Sequence, residues 1–145
     1  MKKYELTKET KTLVGGTVLH RIRALRDIPR FGVKAGELGG FVEEENNLSQ
    51  DDDAWVSGNA KVSGNARVSA NSDYMVVKNI WSSGRWFTYT RSNKKWVVGC
   101  FYGTGEELIK KAYKDSKLSG KCYEAIVRAV ETIEAAKAEA KGGAK

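Results

Sequence analysis

A six-residue repeat is the feature that most constrains what this chain can fold into. Val-Ser-Gly-Asn-Ala-Lys, Val-Ser-Gly-Asn-Ala-Arg and Val-Ser-Ala-Asn-Ser-Asp follow one another over residues 56–73. A period of six fits neither the 3.6-residue period of a helix nor a plain two-residue strand alternation, but it suits a short strand followed by a corner. The repeat therefore predicts a parallel β-solenoid in which about three hexads make one coil.

The residue types within each hexad predict which side chains face the interior. A valine opens every hexad, and we expect these valines to point inward, whereas Ser63 faces outward. Gly58 and Gly64 precede asparagines at the predicted corners, where glycine and asparagine tolerate a left-handed backbone. The predicted interior positions are Val56, Val62, Val68 and, at the crowded corners, Ala60 and Ala66.

The length of the repeat segment limits the number of coils. Residues 56–73 supply one coil, and the 18 residues 38–55 can supply a second, imperfect one. Two coils are too few to be stable alone, because a solenoid needs stacked neighbours and capped ends. We therefore expect the N-terminal segment to cap one end and the C-terminal module to cap the other.

The segments on either side of the repeat predict antiparallel strands. Two alternating segments, residues 12–14 and 17–25, flank a Gly-Gly pair, which is typical of a β-hairpin. From Tyr74 onward the chain is rich in β-branched and aromatic residues, with turn residues between the runs. The predicted three-stranded meander comprises residues 74–81, 85–91 and 95–102.

The last part of the chain predicts two helices. Thr104, with Glu107 three residues later, has the pattern of a capping box at the start of the first helix. We expect this helix to end at Ser119 and Gly120. Apolar residues at helical spacing then predict a second helix.

Several stretches resemble uncharacterised proteins of phages and prophages. These stretches are residues 4–10, 20–28, 33–56 and the hexads, and residues 81–113 resemble a C-terminal module found on some of those proteins. The hexads resemble the left-handed β-helix of hexapeptide-repeat proteins. The resemblance implies a left-handed solenoid and a homo-oligomer, with a trimer as its expected form, and it implies no established activity.

The expected fold class is mainly β with some α. It consists of a short left-handed parallel β-helix of about two coils, capped by an N-terminal hairpin and by a C-terminal three-stranded meander with two helices. This architecture predicts two domains. Residues 1–73 form the hairpin and hexapeptide β-solenoid, and residues 74–145 form a basic α+β module.

The basic charge of the chain is concentrated in its second half. The net charge is +7, and residues 1–73 hold 11 basic and 11 acidic side chains, so the other 14 basic and 7 acidic ones lie in residues 74–145. Such asymmetry predicts an anionic partner for the second half. A solvated surface explains part of the same charge.

The sequence predicts a cytoplasmic protein, in the host cell cytoplasm if a phage encodes it. No apolar run is long enough to span a bilayer, and the N terminus lacks a signal-peptide pattern, so we expect no membrane association. Cys100 and Cys122, the only cysteines, are expected to be reduced and packed.

Catalytic and metal-binding candidates are scarce. His20 is the only histidine, and it lies in a predicted hairpin strand with no carboxylate at an obvious spacing, so a structural role is expected. Cys100 alternates with Val98 and Tyr102, which predicts a small core residue. We expect no catalytic residue, no cofactor and no metal site.

The strongest binding signal lies in residues 78–96, where basic side chains lie among several aromatic ones. Aromatic faces stack on bases, and basic side chains neutralise phosphate. Because strand alternation places one aromatic set in the core, a packed core with solvated charges and a ligand surface both remain open. The predicted ligand-binding residues are Trp81, Arg85, Trp86, Arg91, Lys94 and Lys95.

These features together predict a non-enzymatic accessory binding protein of phage type. Its partner is an anionic one, namely a nucleotide, a nucleic acid or an acidic host protein. The resemblance implies that such a protein antagonises host defence by binding a nucleotide signal, nucleic acid or a host defence protein. Two alternatives are a hexapeptide-type acyltransferase and a structural scaffold that stacks chains end to end.

Overall fold

The described part of the chain forms two four-stranded sheets and two helices. The computed structural model describes residues 2–81 and 84–143. Three short 3-10 helices, Pro29–Phe31, Glu45–Asn47 and Asn71–Asp73, lie between the regular elements. The strands are β1 (Tyr4–Thr12), β2 (Val18–Ala24), β3 (Leu38–Val42), β4 (Lys61–Val62), β5 (Tyr74–Lys78), β6 (Trp86–Thr90), β7 (Lys95–Val98) and β8 (Phe101–Gly103), and the helices are α1 (Gly105–Asp115) and α2 (Lys117–Gly143).

The first sheet has the strand order β1-β2-β3-β4. The predicted N-terminal hairpin is present, because β1 and β2 pair antiparallel from Tyr4 opposite Ala24 to Thr12 opposite Val18. Strand β3 lies antiparallel to β2 on one side and parallel to β4 on the other. The sheet is therefore mixed, and the hexads contribute only its short last strand.

The prediction of a left-handed parallel β-helix with about two coils is wrong. Within the described residues, parallel pairing comprises two residue pairs between β3 and β4 and an isolated bridge between Leu48 and Val68. The other neighbour of β3 is the antiparallel strand β2, and neither sheet is closed or curled. The fold is instead a mixed α/β arrangement. The antiparallel hairpin β1-β2 occupies the edge of β3 on which another coil of a solenoid would have stacked.

The hexads nevertheless keep the predicted interior register. Their three valines and two corner alanines are buried in one hydrophobic core, and Gly58 and Gly64 have the left-handed φ values of 58° and 66°. Ser63 differs from the prediction, because it is only 2% exposed. Its hydroxyl donates a 3.0 Å hydrogen bond to the carboxylate of Glu43 in the segment after β3.

Close approach between β3 and the hexads depends on two glycines. A Cβ atom on Gly40 would lie 2.6 Å from the carbonyl oxygen of Ala60 and 2.7 Å from a methyl group of Val56. A Cβ atom on Gly39 would lie 2.6 Å from the Val56 carbonyl oxygen. The absence of side chains at these positions lets the amide of Gly40 donate a 2.7 Å hydrogen bond to that same Val56 oxygen.

The second sheet has four strands in the order β5-β6-β7-β8, all antiparallel, instead of the predicted three. The last predicted strand, residues 95–102, is divided by a turn at Gly99, whose φ is 57°. Strands β7 and β8 therefore pair with each other, with Val97 opposite Tyr102. Both sheets belong to one compact unit, Met1–Gly103.

The second compact unit, Thr104–Lys145, contains the two predicted helices. The capping box at the start of α1 is confirmed: the Glu107 amide donates to the Thr104 hydroxyl at 3.2 Å, and the Thr104 amide donates to the Glu107 carboxylate at 2.8 Å. The first helix ends before Ser116, earlier than predicted, and Gly120 lies within α2. A Cβ atom on Gly120 would overlap the ring of Tyr113, so this glycine allows the two helices to cross closely.

The second sheet begins with β5 at Tyr74, the first residue of the predicted second domain, whereas the compact units meet between residues 103 and 104. The division into a 1–73 and a 74–145 domain stays a prediction. Neither of the helices in the described part of the chain combines the length and the apolar character that a membrane span requires.

Candidate functional site

The structure does not bring the six predicted ligand-binding residues together. Arg85 and Trp86 lie at the start of β6, whereas Arg91 follows the other end of that strand. A five-residue strand separates its ends by about 13 Å, at roughly 3.3 Å per residue. The predicted set therefore divides into two groups at opposite ends of the second sheet.

The group at the far end of β6 lies around the turn into β7. Arg91 forms an ion pair with Asp73 at 3.9 Å, so a carboxylate already offsets its charge. The ammonium group of Lys95 lies 5.9 Å from the ring centre of Tyr102. Lys94 is exposed and has a left-handed φ of 54°, as expected of a turn residue.

The aromatic side chains of the second sheet divide between core and surface. Phe87, Tyr89 and Trp96 are buried, and Trp96 contacts both other rings, at 6.2 Å from Phe87 and 5.0 Å from Tyr89. Trp81 packs against Phe87 with ring centres 6.0 Å apart. Trp86 lies on the opposite face of β6 and is 38% exposed, which makes it the tryptophan most accessible to a ligand.

A pocket of about 180 Å³ lies beside Trp86, between the first and second sheets. We call it the cationic pocket, because three of the side chains that line it are basic. None of the described residues that line it is acidic. The lining residues are Lys11, Phe41, Asn59, Lys61, Arg85, Trp86 and Gly99.

Strand register fixes the position of Lys61 in this pocket. Lys61 lies opposite Phe41 in the parallel pair of β3 and β4, and its amide donates a 3.0 Å hydrogen bond to the hydroxyl of Thr88 in β6. Its ammonium group donates a 2.9 Å hydrogen bond to the carbonyl oxygen of Gly99. Lys61 is therefore held at both its backbone and its side chain, and it is half-buried.

Gly99 also shapes the position of Arg85. A Cβ atom at Gly99 would lie 3.3 Å from Cδ of Arg85 and 3.5 Å from its Nε, so the arginine side chain lies directly over the glycine. The ammonium group of Lys78 lies 5.7 Å from the indole centre of Trp86. The exposed indole therefore lies beside the basic pocket and also near a further lysine.

The electrostatic environment of the cationic pocket disfavours further positive charge. Burial lowers the pKa of Lys61 below its ordinary value, and the neighbouring cations Lys11 and Arg85 lower it further. Cys100 has the opposite effect on the pKa of Lys61, smaller than that of Lys11 and larger than that of Arg85. The two exposed cations thus repel the charge of Lys61, which is half-buried and therefore only partly screened by water.

The other candidate residues lie outside this pocket or differ from the prediction. His20 is half-buried in β2, and its Nδ1 lies 3.1 Å from the carbonyl oxygen of Thr7. Cys100 is exposed, so the prediction that it is a core residue is wrong. In residues 2–81 and 84–143, no three histidine, cysteine or acidic side chains are grouped as metal ligands.

Sequence reasoning identified Arg85 and Trp86 and missed Lys11, Lys61 and Gly99. Lys61 occupies the sixth position of the first hexad, the position that Arg67 occupies in the second. This basic pattern was visible in the sequence, but it did not indicate which of the two residues meets Arg85. Only the pairing of β3 with β4 brings Lys61 to the pocket.

Comparison of the chain with protein-family models, with curated proteins and with solved structures finds no match.

Proposed function

We propose that this chain is a non-enzymatic binding protein whose cationic pocket takes the phosphate group of an anionic ligand. The observation that carries the proposal is the convergence of Lys11, Lys61 and Arg85 on one small pocket that no described acidic residue lines. These three residues come from separate parts of the chain, so the cluster is a product of the fold.

A phosphate group fits the chemistry of this cluster. Arginine presents a planar fork that matches two phosphate oxygens, and lysine supplies a mobile point charge. An anion would relieve the repulsion among the three cations, and the partial burial of Lys61 strengthens each of these attractions. Carboxylate ligands are also anionic, but they carry a single negative charge and offer fewer oxygens to the three donors.

The exposed indole of Trp86 supports a ligand that also carries an aromatic group. Stacking of a base on an aromatic side chain contributes about 1–3 kcal/mol and is tolerant of base identity. A nucleotide and a nucleic acid both combine these groups, whereas an acidic host protein would use the cations alone. Antagonism of host defence, which the resemblance implies, stays a prediction.

The two alternative functions lose part of their basis. The acyltransferase and end-to-end stacking hypotheses both relied on a solenoid, and the parallel pairing of the hexads is confined to β4 and one isolated bridge. His20, the candidate base of the first hypothesis, lies against the backbone of Thr7. The acyltransferase and stacking hypotheses therefore have less support from the described residues than the binding proposal has.

The test is isothermal titration calorimetry of the full chain with sodium phosphate, with sodium chloride of matched ionic strength as the reference. The proposal predicts saturable phosphate binding that weakens as salt rises, because bound phosphate displaces counterions from the pocket. The double variant Lys61→Met/Arg85→Met should lose this binding while its circular dichroism spectrum stays unchanged.

Arg67 provides the matched control, because it occupies the same hexad position as Lys61 but is exposed and does not line the pocket. Arg67→Met should bind phosphate as the unmodified chain does. Equal loss in Arg67→Met and in the double variant would attribute binding to overall charge and would refute the proposal. Absence of phosphate binding at low salt would refute it as well.

A further inference from the structure

We infer that the cationic pocket selects a terminal phosphate monoester on a nucleotide over an internal phosphodiester, with Trp86 stacking on the base. The inference rests on the proposed function, since it specifies the ligand of the same pocket. Four properties of the pocket support it, namely its size, its number of independent donors, its positive charge and the position of Trp86 in its lining.

The size of the pocket limits what can enter it. Sites that enclose a whole drug-sized ligand have volumes of roughly 300–1,000 Å³. The cationic pocket, at about 180 Å³, is smaller than that range. It therefore accommodates a charged group at the end of a molecule, while the rest of the ligand lies outside.

The donors of the pocket match the oxygens of a monoester. A phosphate monoester is attached through one oxygen and presents three others, whereas a diester presents two and continues in two directions. Lys11, Lys61 and Arg85 are three separate cationic donors on different elements of the fold. A monoester can give each of them its own acceptor, and a diester cannot.

The charge of the ligand also favours binding of the monoester over the diester. Phosphate monoesters carry about −1.5 to −2 charge at pH 7, because their second pKa is about 6. A phosphodiester carries a single negative charge. Each added negative charge on the ligand interacts with all three cations. The monoester is therefore attracted to the pocket more strongly than the diester.

The position of Trp86 indicates where the base lies. Trp86 lines the pocket and is 38% exposed, so its indole extends from the pocket to the surface. Trp81 is less suited to stacking, because its ring already packs against the buried Phe87. A phosphate held by Lys61 and Arg85 would therefore place an attached nucleoside over Trp86.

The test is calorimetry of the full chain with adenosine 5′-monophosphate, adenosine 3′,5′-cyclic monophosphate, ribose 5-phosphate and adenosine. We expect the 5′-monophosphate to bind about tenfold more tightly than ribose 5-phosphate, as stacking predicts. We expect it to bind more tightly than the cyclic diester by at least a similar factor. Adenosine should not bind measurably.

Trp86→Ala separates stacking from phosphate binding. This variant should lose more affinity for the 5′-monophosphate than for ribose 5-phosphate, so that the two ligands bind about equally tightly. Trp81→Phe serves as the matched control and should behave as the unmodified chain does. Equal losses in both tryptophan variants would remove the assigned role of Trp86 and overturn the inference.

Further ligands distinguish the failure of this inference from failure of the proposed function. One outcome is that inorganic phosphate binds and that the cyclic diester binds as tightly as the 5′-monophosphate. That outcome would overturn the inference and leave the proposed function standing. No binding of any phosphate compound would overturn both. A further comparison uses one oligonucleotide with a 5′-phosphate and one with a 5′-hydroxyl, and it shows whether the pocket accepts a monoester at the end of a strand. Binding of the phosphorylated oligonucleotide alone would support the inference.

Discussion

The side-chain amide of Asn47 donates a 2.8 Å hydrogen bond to the carbonyl oxygen of Ala66, which lies 19 residues further along the chain. The same nitrogen donates to the carbonyl oxygen of Gly64 at 3.1 Å. The amide oxygen of Asn47 accepts hydrogen bonds from the backbone amides of Glu43 and Glu44. One buried side chain thus connects the end of β3 to the second hexad.

Asn47→Asp should destabilise the chain by about 3 kcal/mol. The carboxylate has the same shape but donates no hydrogen bond, so the carbonyl oxygens of Gly64 and Ala66 lose their donor and face a buried negative charge. Urea denaturation measures the free energy of unfolding. Asn46→Asp is the matched control, because Asn46 is exposed, and it should change that free energy by less than about 0.5 kcal/mol. Similar losses in the two variants would show that Asn47 does not connect the segments.

Val62→Asp should destabilise the chain by several kcal/mol, because Val62 is fully buried among the other hexad residues and a carboxylate there has no partner. Ser63→Asp should also be destabilising, since its carboxylate would face Glu43. Ser57→Asp, at the equivalent but exposed serine of the first hexad, should be mild. Thermal melts compare the three variants. A mild Ser63→Asp would contradict the buried contact with Glu43.

Phosphate should slow alkylation of Cys100 by iodoacetamide. This thiol is exposed and lies close enough to Lys61 to influence the pKa of the lysine, so an anion in the cationic pocket would shield it. Peptide mass spectrometry follows the reaction at each cysteine separately. Cys122 in α2 is the internal control, and its rate should not change. Equal slowing at both cysteines would point to a general effect of phosphate rather than to occupancy of the pocket.

Lys3 should make the stability of the chain rise with pH in the alkaline range. Burial lowers the pKa of Lys3 below its ordinary value of 10.5, although Asp52 opposes the shift. Between the lowered pKa and 10.5 the unfolded state binds more protons than the folded state, so the free energy of unfolding increases with pH. At lower pH the amine is charged in both states, and the full cost of burial remains.

The measurement is the difference in unfolding free energy between the unmodified chain and Lys3→Met, recorded from neutral pH to pH 10.5. Loss of the hydrogen bond from Lys3 to the carbonyl oxygen of Ala54 adds an offset that is independent of pH as long as the chain stays folded. As pH rises, the unfolding free energy of the unmodified chain should increase relative to that of Lys3→Met. A difference that does not change with pH would contradict the burial of this amine.

The residue types within each hexad were enough to predict which side chains are buried. They were not enough to predict which strands pair with the hexads. Valine and alanine at fixed spacing specify a buried side, and Gly58 and Gly64 specify corners. The period of six does not specify which strand pairs with β3 on its other edge. That choice depends on the N-terminal hairpin, and it replaced a second coil by antiparallel pairing.

The candidate site was predictable to the extent that its residues are neighbours in sequence. Arg85 and Trp86 lie within one dense aromatic and basic segment, but Lys11 and Lys61 reach the pocket through sheet pairing. The error at Cys100 has a local cause. Alternation from Val98 would bury it, but the left-handed turn at Gly99 resets the alternation before β8 begins.

The hydrogen bond between the amide of Lys61 and the hydroxyl of Thr88 has an evolutionary consequence. That amide lies on the outer edge of β4, where the next strand of a parallel ladder would attach. Since a side chain of the second sheet occupies this edge, a duplication that adds hexads cannot lengthen the ladder there without detaching β6. The hexad ladder of this chain therefore ends at β4 on a side chain of the second sheet rather than on an open strand edge.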